Sequence, residues 1–298
     1  MKKYLSVCAA ACTALLACVA AQAAGSGEPP VWRTVSFQGN DVLYQESGNP
    51  EAQALVFIHG WACDSSFWRC QIPEFGEYRV IAIDLPGFGR SARPGNVLYT
   101  LPYFAGAVRA VVEHAGLNAP VLIGHSMGYA IARQYLIQYP ESVRALVNVD
   151  GTYFRRPSSP DARRGFEKEV AGMLADLEGP QRARVMESIV EATFYGKTPP
   201  ELREEIKAAM LATDAYASTS SLREMLKLDQ WRERNFSVPC LALYAQADDL
   251  PPKHEVYLRS VFPDLVYQEW ADSGHYLMLE QPRRFNAALR SYLESLAQ

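Results

Sequence analysis

The segment Gly124-His125-Ser126-Met127-Gly128 has the pattern G-x-S-x-G, which can present a serine as a nucleophile. It follows the apolar run Val121–Ile123 and precedes a helical pattern, so it predicts a strand, a sharp turn and a helix. Its glycines allow a turn where a Cβ would collide with neighbouring backbone, and the helix N-terminus favours negative charge near Ser126. The alternative is a serine that only caps a helix between two packing glycines.

A histidine and an aspartate that could activate this serine lie further along the chain. A serine hydroxyl ionises far above pH 7, so it needs an adjacent base, and histidine suits that task. His275 follows the predicted last strand, Leu265–Trp270, whereas Asp248 and Asp249 follow the run Leu241–Tyr244. A carboxylate there could orient the imidazole. Alone, each residue would be an ordinary surface or core side chain, and only the order serine, aspartate, histidine indicates acyl-transfer chemistry.

Short apolar runs alternate with helical patterns, and these elements would position the three side chains. Strands are predicted at Ala54–Ile58, Val80–Ile83, Val121–Ile123, Ala145–Val149, Leu241–Tyr244 and Leu265–Trp270, after a hairpin of Trp32–Phe37 and Val42–Glu46 around Gly39-Asn40-Asp41. Helices are predicted from Pro102 to Gly116, from Met127 to Tyr139 and over the C-terminal stripe Phe285–Leu296. Apolar runs without alternation are typical of strands buried on both faces. The pattern predicts an α/β fold with an open, doubly wound, mostly parallel sheet.

Residues 152–234 interrupt this alternation. They contain several helical patterns and no convincing strand. A crossover between two parallel strands needs only about a dozen residues, so most of this stretch exceeds that role. The sequence therefore predicts an all-helical cap over the strand ends, inserted into a core made of residues 24–151 and 235–298.

The N-terminus is typical of an export signal. Lys2 and Lys3 precede a long uncharged, alanine-rich stretch that ends in Ala21-Gln22-Ala23. We expect a signal peptide over residues 1–23 and a periplasmic or secreted protein. The residues before Cys18 resemble a bacterial lipobox, so a lipoprotein anchored at Cys18 is an alternative, and an uncleaved membrane anchor is another.

The composition of the 298-residue chain excludes several classes of protein. With 49% hydrophobic and 21% charged residues, it is neither mostly disordered nor a polytopic membrane protein. A net charge of −4 does not favour nucleic acid or an anionic bilayer. Beyond the leader, Cys63, Cys70 and Cys240 are predicted to be free thiols, because a helical path would hold Cys63 and Cys70 about 10 Å apart, too far for a disulfide.

The chain resembles the α/β-hydrolase superfamily from about residue 32 to the C-terminus. Four features occur in the family's order: His59-Gly60-Trp61, the turn Asp84–Ser91, the Ser126 motif, and Gly274-His275 with Asp248 upstream. The resemblance implies an α/β-hydrolase fold with Ser126 as nucleophile, His275 as general base and acid, and Asp248 as orienting carboxylate. Asp150, after the run Ala145–Val149, and Asp249 are alternative acids.

The resemblance also implies roles for the loops around the serine. The backbone N–H groups of Trp61 and Met127 would form an oxyanion hole. His59 and Asp84 would order the loops after their strands, and His125 would pack beside the turn.

The function that the resemblance implies is a serine hydrolase that cleaves small-molecule carboxylic esters through an acyl-enzyme. No cofactor or metal is expected, because neither an HExxH motif nor clustered His and Cys ligands occur. The same three side chains could serve other acyl chemistry, such as perhydrolase, haloperoxidase-like, acyltransferase, C–C or peptide-bond hydrolase activity. A non-catalytic ligand-binding receptor of the same fold is the alternative outside enzymes.

Overall fold

The computed structural model describes residues 29–151, 159–231, 234–246 and 254–297. The predicted signal peptide, with Cys18, lies outside these ranges, and so do Asp248 and Asp249. Within the described ranges, no helix has the length and apolar character needed to cross a bilayer.

Eight strands form one sheet in the order β1-β2-β4-β3-β5-β6-β7-β8. Their bounds are β1 Val31–Phe37, β2 Asn40–Gly48, β3 Ala54–Ile58, β4 Arg79–Ile83, β5 Val121–His125, β6 Ala145–Val149, β7 Cys240–Ala245 and β8 Leu265–Trp270. The pairs β1–β2 and β2–β4 are antiparallel, and every other neighbouring pair is parallel. The predicted strands and the mostly parallel sheet are therefore confirmed.

The strand sequences explain this arrangement. All residues of β3, β5, β6 and β7 are buried, as expected for parallel strands covered on both faces by helices. The hairpin turn is tighter than predicted, because Phe37 pairs directly with Asn40. Gln38 and Gly39 form the two-residue loop with φ of 50° and 77°, the left-handed pair that matches strand twist.

Nine helices are described outside the short 3₁₀ turns. They are α1 Leu101–His114, α2 Met127–Gln138, α3 Pro160–Glu178, α4 Arg182–Glu191, α5 Pro200–Leu211, α6 Ala215–Met225, α7 His254–Val261, α8 Leu277–Glu280 and α9 Pro282–Ser295. Thr100 caps α1 by accepting the N–H of Tyr103, and Pro102 occupies its first turn. The predicted helices after Pro102, after Ser126 and at the C-terminus are confirmed.

The four helices α3–α6 lie between β6 and β7, and we call residues 159–231 the helical insert. The insert contacts loops at the carboxyl edge of the sheet. The indole Nε1 of Trp61, after β3, donates to the carbonyl of Ser218 at 2.7 Å. The backbone N–H of His275, after β8, donates to the carbonyl of Thr193 at 3.0 Å. The insert thus lies on the edge where the predicted functional residues are found.

The cysteines differ in part from the prediction. Cys63 and Cys240 are free and buried, as expected. In the full-length chain Cys70 is disulfide-bonded to a cysteine outside the described residues, so the prediction of three free thiols, made for the chain without its leader, is not met by the full-length chain. The spacing argument excluded only a bond between Cys63 and Cys70, which is indeed not formed, and it could not test other pairings.

Candidate active site

Ser126 occupies a strained turn between β5 and α2. Its φ of 52° and ψ of −117° lie in a region that non-glycine residues rarely adopt. The turn is held because the Ser126 N–H donates to the carbonyl of Val149, at the end of β6, at 3.0 Å. The residue is 9% exposed. A strained backbone that the surroundings hold in place is typical of a functional residue, as the sequence motif predicts.

The two glycines of the motif permit this turn. A Cβ on Gly124 would lie 2.5 Å from the backbone of Gly128, and a Cβ on Gly128 would lie 2.2 Å from the carbonyl oxygen of Ile58. Any side chain at either position would force α2 away from β3 or β5. The spacing of the motif is therefore a requirement of close backbone packing.

His275 and Asp150 form the closest contact between titratable side chains of the site. The Nδ1 of His275 lies 2.5 Å from Oδ2 of Asp150. The other oxygen, Oδ1, accepts the backbone N–H of Ala245 at 2.9 Å. Asp150 itself has a φ of 44°, and its N–H donates to Leu243 at 2.7 Å. Both carboxylate oxygens are thus bonded, which fixes the plane of the carboxylate toward the imidazole.

The backbone of His275 is fixed as well. Its N–H donates to Thr193, and its carbonyl accepts Nε2–H of His125 at 2.9 Å. The two imidazole rings lie 4.6 Å apart between centroids. Burial, together with the neighbouring His275, lowers the pKa of His125 well below its usual value, so His125 is a neutral donor. Since His125 precedes Ser126, this bond links the serine turn to the histidine loop.

The loop after β3 lies beside the serine. A Cβ on Gly60 would lie 3.3 Å from the Cβ of Ser126, and Trp61 is the residue that follows Gly60. The next residue, Ala62, has a φ of 55° and turns the chain sharply. Met127 begins α2, where an N–H has no partner within its own helix. Of the two predicted oxyanion residues, Met127 thus adjoins Ser126 in the chain, and Trp61 adjoins Gly60, which lies beside Ser126.

His59 and Asp84 have the structural roles that were predicted. His59 is buried and its Nε2 accepts the N–H of Leu85 at 3.0 Å. Asp84 accepts the N–H groups of Ser65 and Arg90, each at 2.8 Å. These bonds order the loops after β3 and β4 without reaching the serine.

Sequence reasoning missed Glu280, at the end of α8. Its Oε2 accepts the backbone N–H of Gly274 at 2.6 Å, so it bonds directly to the loop that carries His275. A signal was available in the sequence: this carboxylate directly follows four apolar residues, Tyr276–Leu279, which are all buried. A charged residue inside an apolar segment usually has a specific partner.

The structure brings Ser126, Asp150 and His275 to one edge of the sheet, after β5, β6 and β8. Of the three acids considered from the sequence, Asp150 bonds to His275, and Asp248 and Asp249 lie outside the described residues. Across the described ranges, no group of three or more His, Cys, Asp or Glu side chains is placed to hold a metal ion.

Comparison with known proteins agrees with this geometry. The family model described as alpha/beta hydrolase fold matches residues 53–282, which span the serine, the aspartate and the histidine. The chain belongs to the α/β-hydrolase family. It is accordingly an enzyme of that family, and its fold and membership are those that the motifs predicted.

Individual relatives extend the comparison. The pimeloyl-[acyl-carrier protein] methyl ester esterase of Salmonella agona is 29% identical over 86% of this chain and the whole of the relative. A thermophilic esterase from Thermogutta terrifontis has a TM-score of 0.77 at 24% identity, over 91% of this chain and all of that structure. An esterase from Exiguobacterium antarcticum has a TM-score of 0.76 at 20% identity, over 88% of this chain and 98% of the other.

Proposed function

We propose that this α/β-hydrolase cleaves carboxylic esters, with Ser126 as nucleophile, His275 as general base and acid, and Asp150 as the orienting carboxylate. The observation that carries the proposal is the 2.5 Å contact between Asp150 and His275, at the sheet edge where Ser126 occupies its strained turn. It is supported by relatives that are themselves named esterases.

The first half of the reaction forms an acyl-enzyme. His275 takes the proton of the Ser126 hydroxyl while Oγ attacks the carbonyl carbon of the ester. The N–H groups of Trp61 and Met127 bind the oxyanion, and one such donor contributes about 2.7–4 kcal/mol in comparable sites. His275 then gives its proton to the departing alkoxide, which leaves as the alcohol. Asp150 holds Nδ1 protonated throughout, so that Nε2 is the atom that exchanges protons with the serine.

The second half of the reaction releases the acid. Water loses a proton to His275 and attacks the acyl carbon, and His275 returns the proton to Ser126 Oγ as the carboxylic acid departs. An ester is favoured over an amide because an alkoxide needs less assistance to leave than an amine. The Salmonella relative acts, by its name, on a methyl ester, so we propose esters of small alcohols as the natural substrate class, and p-nitrophenyl esters serve as the chromogenic substrates of the assays.

The decisive experiment compares wild type with Ser126→Ala on p-nitrophenyl esters of increasing acyl length. We expect the substitution to reduce kcat by roughly 10⁶-fold, as removal of a serine nucleophile does elsewhere. The matched control is Ser260→Ala, which removes an exposed hydroxyl bonded only locally to Tyr257. Equal rates in wild type and Ser126→Ala would exclude the mechanism.

Two measurements separate the competing functions. A fluorophosphonate probe should label folded wild type and leave Ser126→Ala unlabelled, and an unlabelled folded wild type would favour a ligand-binding receptor. Product analysis in the presence of alcohol or peroxide distinguishes hydrolysis from transfer to another acceptor, because both begin with the same acyl-enzyme.

We also propose that residues 152–234 act as a cap, and that residues 1–23 direct export. The bonds from Trp61 to Ser218 and from His275 to Thr193 support the cap. Mass analysis of the mature N-terminus tests export: cleavage after Ala23 supports a soluble periplasmic or secreted protein, and a diacylglyceryl-modified Cys18 supports the lipoprotein.

A further inference from the structure

Glu280 occupies an unusual position for a carboxylate. It ends α8 after four buried apolar residues, and its Oε2 accepts the N–H of Gly274 at 2.6 Å. The hydroxyl of Ser273 lies 3.4 Å from the same oxygen. Burial raises the pKa of Glu280 above its usual value, against the opposing effect of these donors. The carboxylate therefore faces the peptide that carries His275, away from bulk water.

Gly274 is enclosed from both sides. A Cβ at this position would lie 2.6 Å from the backbone nitrogen of Tyr195 and 2.7 Å from Oε1 of Glu280. The next N–H, of His275, donates to the carbonyl of Thr193. Two successive N–H groups thus bond to two different partners: one is the Glu280 side chain, and the other is the helical insert.

An apolar side chain would fill this space at lower cost. A carboxylate removed from water loses hydration energy, and that loss is offset only where donors of good geometry replace the water. Here the donors are backbone and hydroxyl groups of the loop that precedes His275. A hydrogen bond to an ionised acceptor is roughly twice as strong as a neutral one, so charge at Glu280 tightens this loop.

We propose that Glu280 is a positioning residue that holds the Gly274–His275 peptide against the helical insert, so that the His275 ring remains aligned between Asp150 and Ser126. This inference rests on the proposed function, because it assigns a role to Glu280 only through His275. Glu280 does not itself contact reacting atoms.

Other titratable groups lie on the segments that adjoin this loop. Tyr276, on the same segment, is buried, and burial raises the pKa of its phenol well above its usual value, with Cys63 and Glu280 contributing in the same direction. On the insert, Arg203 donates to the carbonyls of Tyr195 and Thr198. On the solvent side, Asp272 and Arg284 pair with each other at 2.8 Å. The Gly274 N–H bonds to Glu280 and to none of the other titratable groups named here.

The test is the substitution Glu280→Gln, which keeps the size and an acceptor oxygen but removes the charge. We expect kcat on p-nitrophenyl esters to fall about 10-fold at pH 8, with KM little changed. The matched control is Glu269→Gln, an exposed carboxylate at the end of the strand that leads into the same loop, which should leave both parameters unchanged.

The pH profile separates positioning from general stability. Glu280→Gln imitates the protonated carboxyl, so the ratio of wild-type to variant kcat should shrink toward one as the pH falls and wild-type Glu280 takes up a proton. A ratio that is the same at every pH, or a variant as fast as wild type, would overturn the proposal. His275→Ala tests the proposed function separately: if that variant is fully active, the mechanism fails whatever Glu280 does.

A second variant serves if Glu280→Gln does not fold. Glu280→Asp keeps the charge and shortens the reach by one methylene, so we expect a smaller fall in kcat and a shifted low-field proton NMR signal from the Asp150–His275 bond. An unchanged kcat together with an unchanged signal in this variant would refute a role for Glu280 in placing His275.

Discussion

The identity of the orienting acid can be tested by a substitution that replaces one side-chain oxygen of Asp150 with nitrogen. Asp150→Asn exchanges one carboxylate oxygen for an amide nitrogen and alters the volume of the side chain little. One acceptor remains to take the N–H of Ala245, which lies 2.9 Å from Oδ1. The amide nitrogen then faces Nδ1 of His275, across the present 2.5 Å contact. Two N–H donors cannot bond to each other, so the imidazole must place its proton on Nε2.

The expected loss follows from that tautomer. A histidine protonated at Nε2 cannot accept the proton of Ser126, and the charge that would stabilise the imidazolium is gone. The same exchange in a serine protease of different fold reduces kcat by about 10⁴-fold. That factor corresponds to about 5.4 kcal/mol of transition-state stabilisation. Because Asp150 is shielded from solvent, with its side chain 15% exposed, water offers little compensation and we expect a similar loss here.

The assay compares kcat of Asp150→Asn and Asp248→Asn on a p-nitrophenyl ester, with urea unfolding to show that each variant is folded. We expect a loss of about 10⁴-fold at position 150 and less than about threefold at position 248. A large loss at position 248 with a small loss at position 150 would identify Asp248, the acid that the family resemblance implies, as the orienting carboxylate. It would also show that the Asp150–His275 contact is only structural. Comparable large losses in both would mean that the two carboxylates share the role.

Two further predictions concern stability. Gly128→Ala places a Cβ 2.2 Å from the carbonyl oxygen of Ile58 and should lower the free energy of unfolding, measured in urea, by about 3 kcal/mol. The control is Gly165→Ala, where a Cβ would have nothing within 4 Å, and it should leave the free energy of unfolding unchanged or slightly raised. Equal free energies of unfolding in the two variants would refute the packing argument. The folded-state pKa of His125 lies below its unfolded value, so as the pH falls from 7.5 to 5.5 the unfolded chain takes up the proton first and wild type loses stability. In His125→Gln that loss should be smaller by up to about 1.4 kcal/mol, and an identical pH dependence would show that His125 is not buried neutral.

The elements of the sheet could be predicted from the sequence because their signals are local. The unalternating runs Ala54–Ile58 and Ala145–Val149 were expected as buried parallel strands, and the structure has strands at the same residues. The G-x-S-x-G spacing depends equally on nearby atoms, since Gly124 and Gly128 are close to each other and to β3. The apolar runs express burial on both faces of a strand, and the motif expresses close backbone packing around the serine, so composition and spacing are enough to recognise both.

The acid could not be chosen in this way. Asp150 and Asp248 each follow a parallel strand, and both are compatible with the order of the family's motifs. What distinguishes Asp150 is its left-handed φ of 44° and the N–H of Ala245, a residue 95 positions away, which together orient its carboxylate toward His275. Glu280 was missed for a related reason: the apolar residues before it indicate that the carboxylate has a specific partner, but that partner is a backbone N–H, which no residue type identifies.

The amino-acid sequence by itself determined the strands, the helices, the serine turn and the family, because these depend on short-range sterics and on the burial of apolar side chains. Only the tertiary structure decided which carboxylate meets the imidazole, and how the helical insert bonds to the loops of Trp61 and His275. Those outcomes depend on the directions of individual hydrogen bonds and on side-chain distances between segments far apart in the chain, and spacing along the sequence does not specify them.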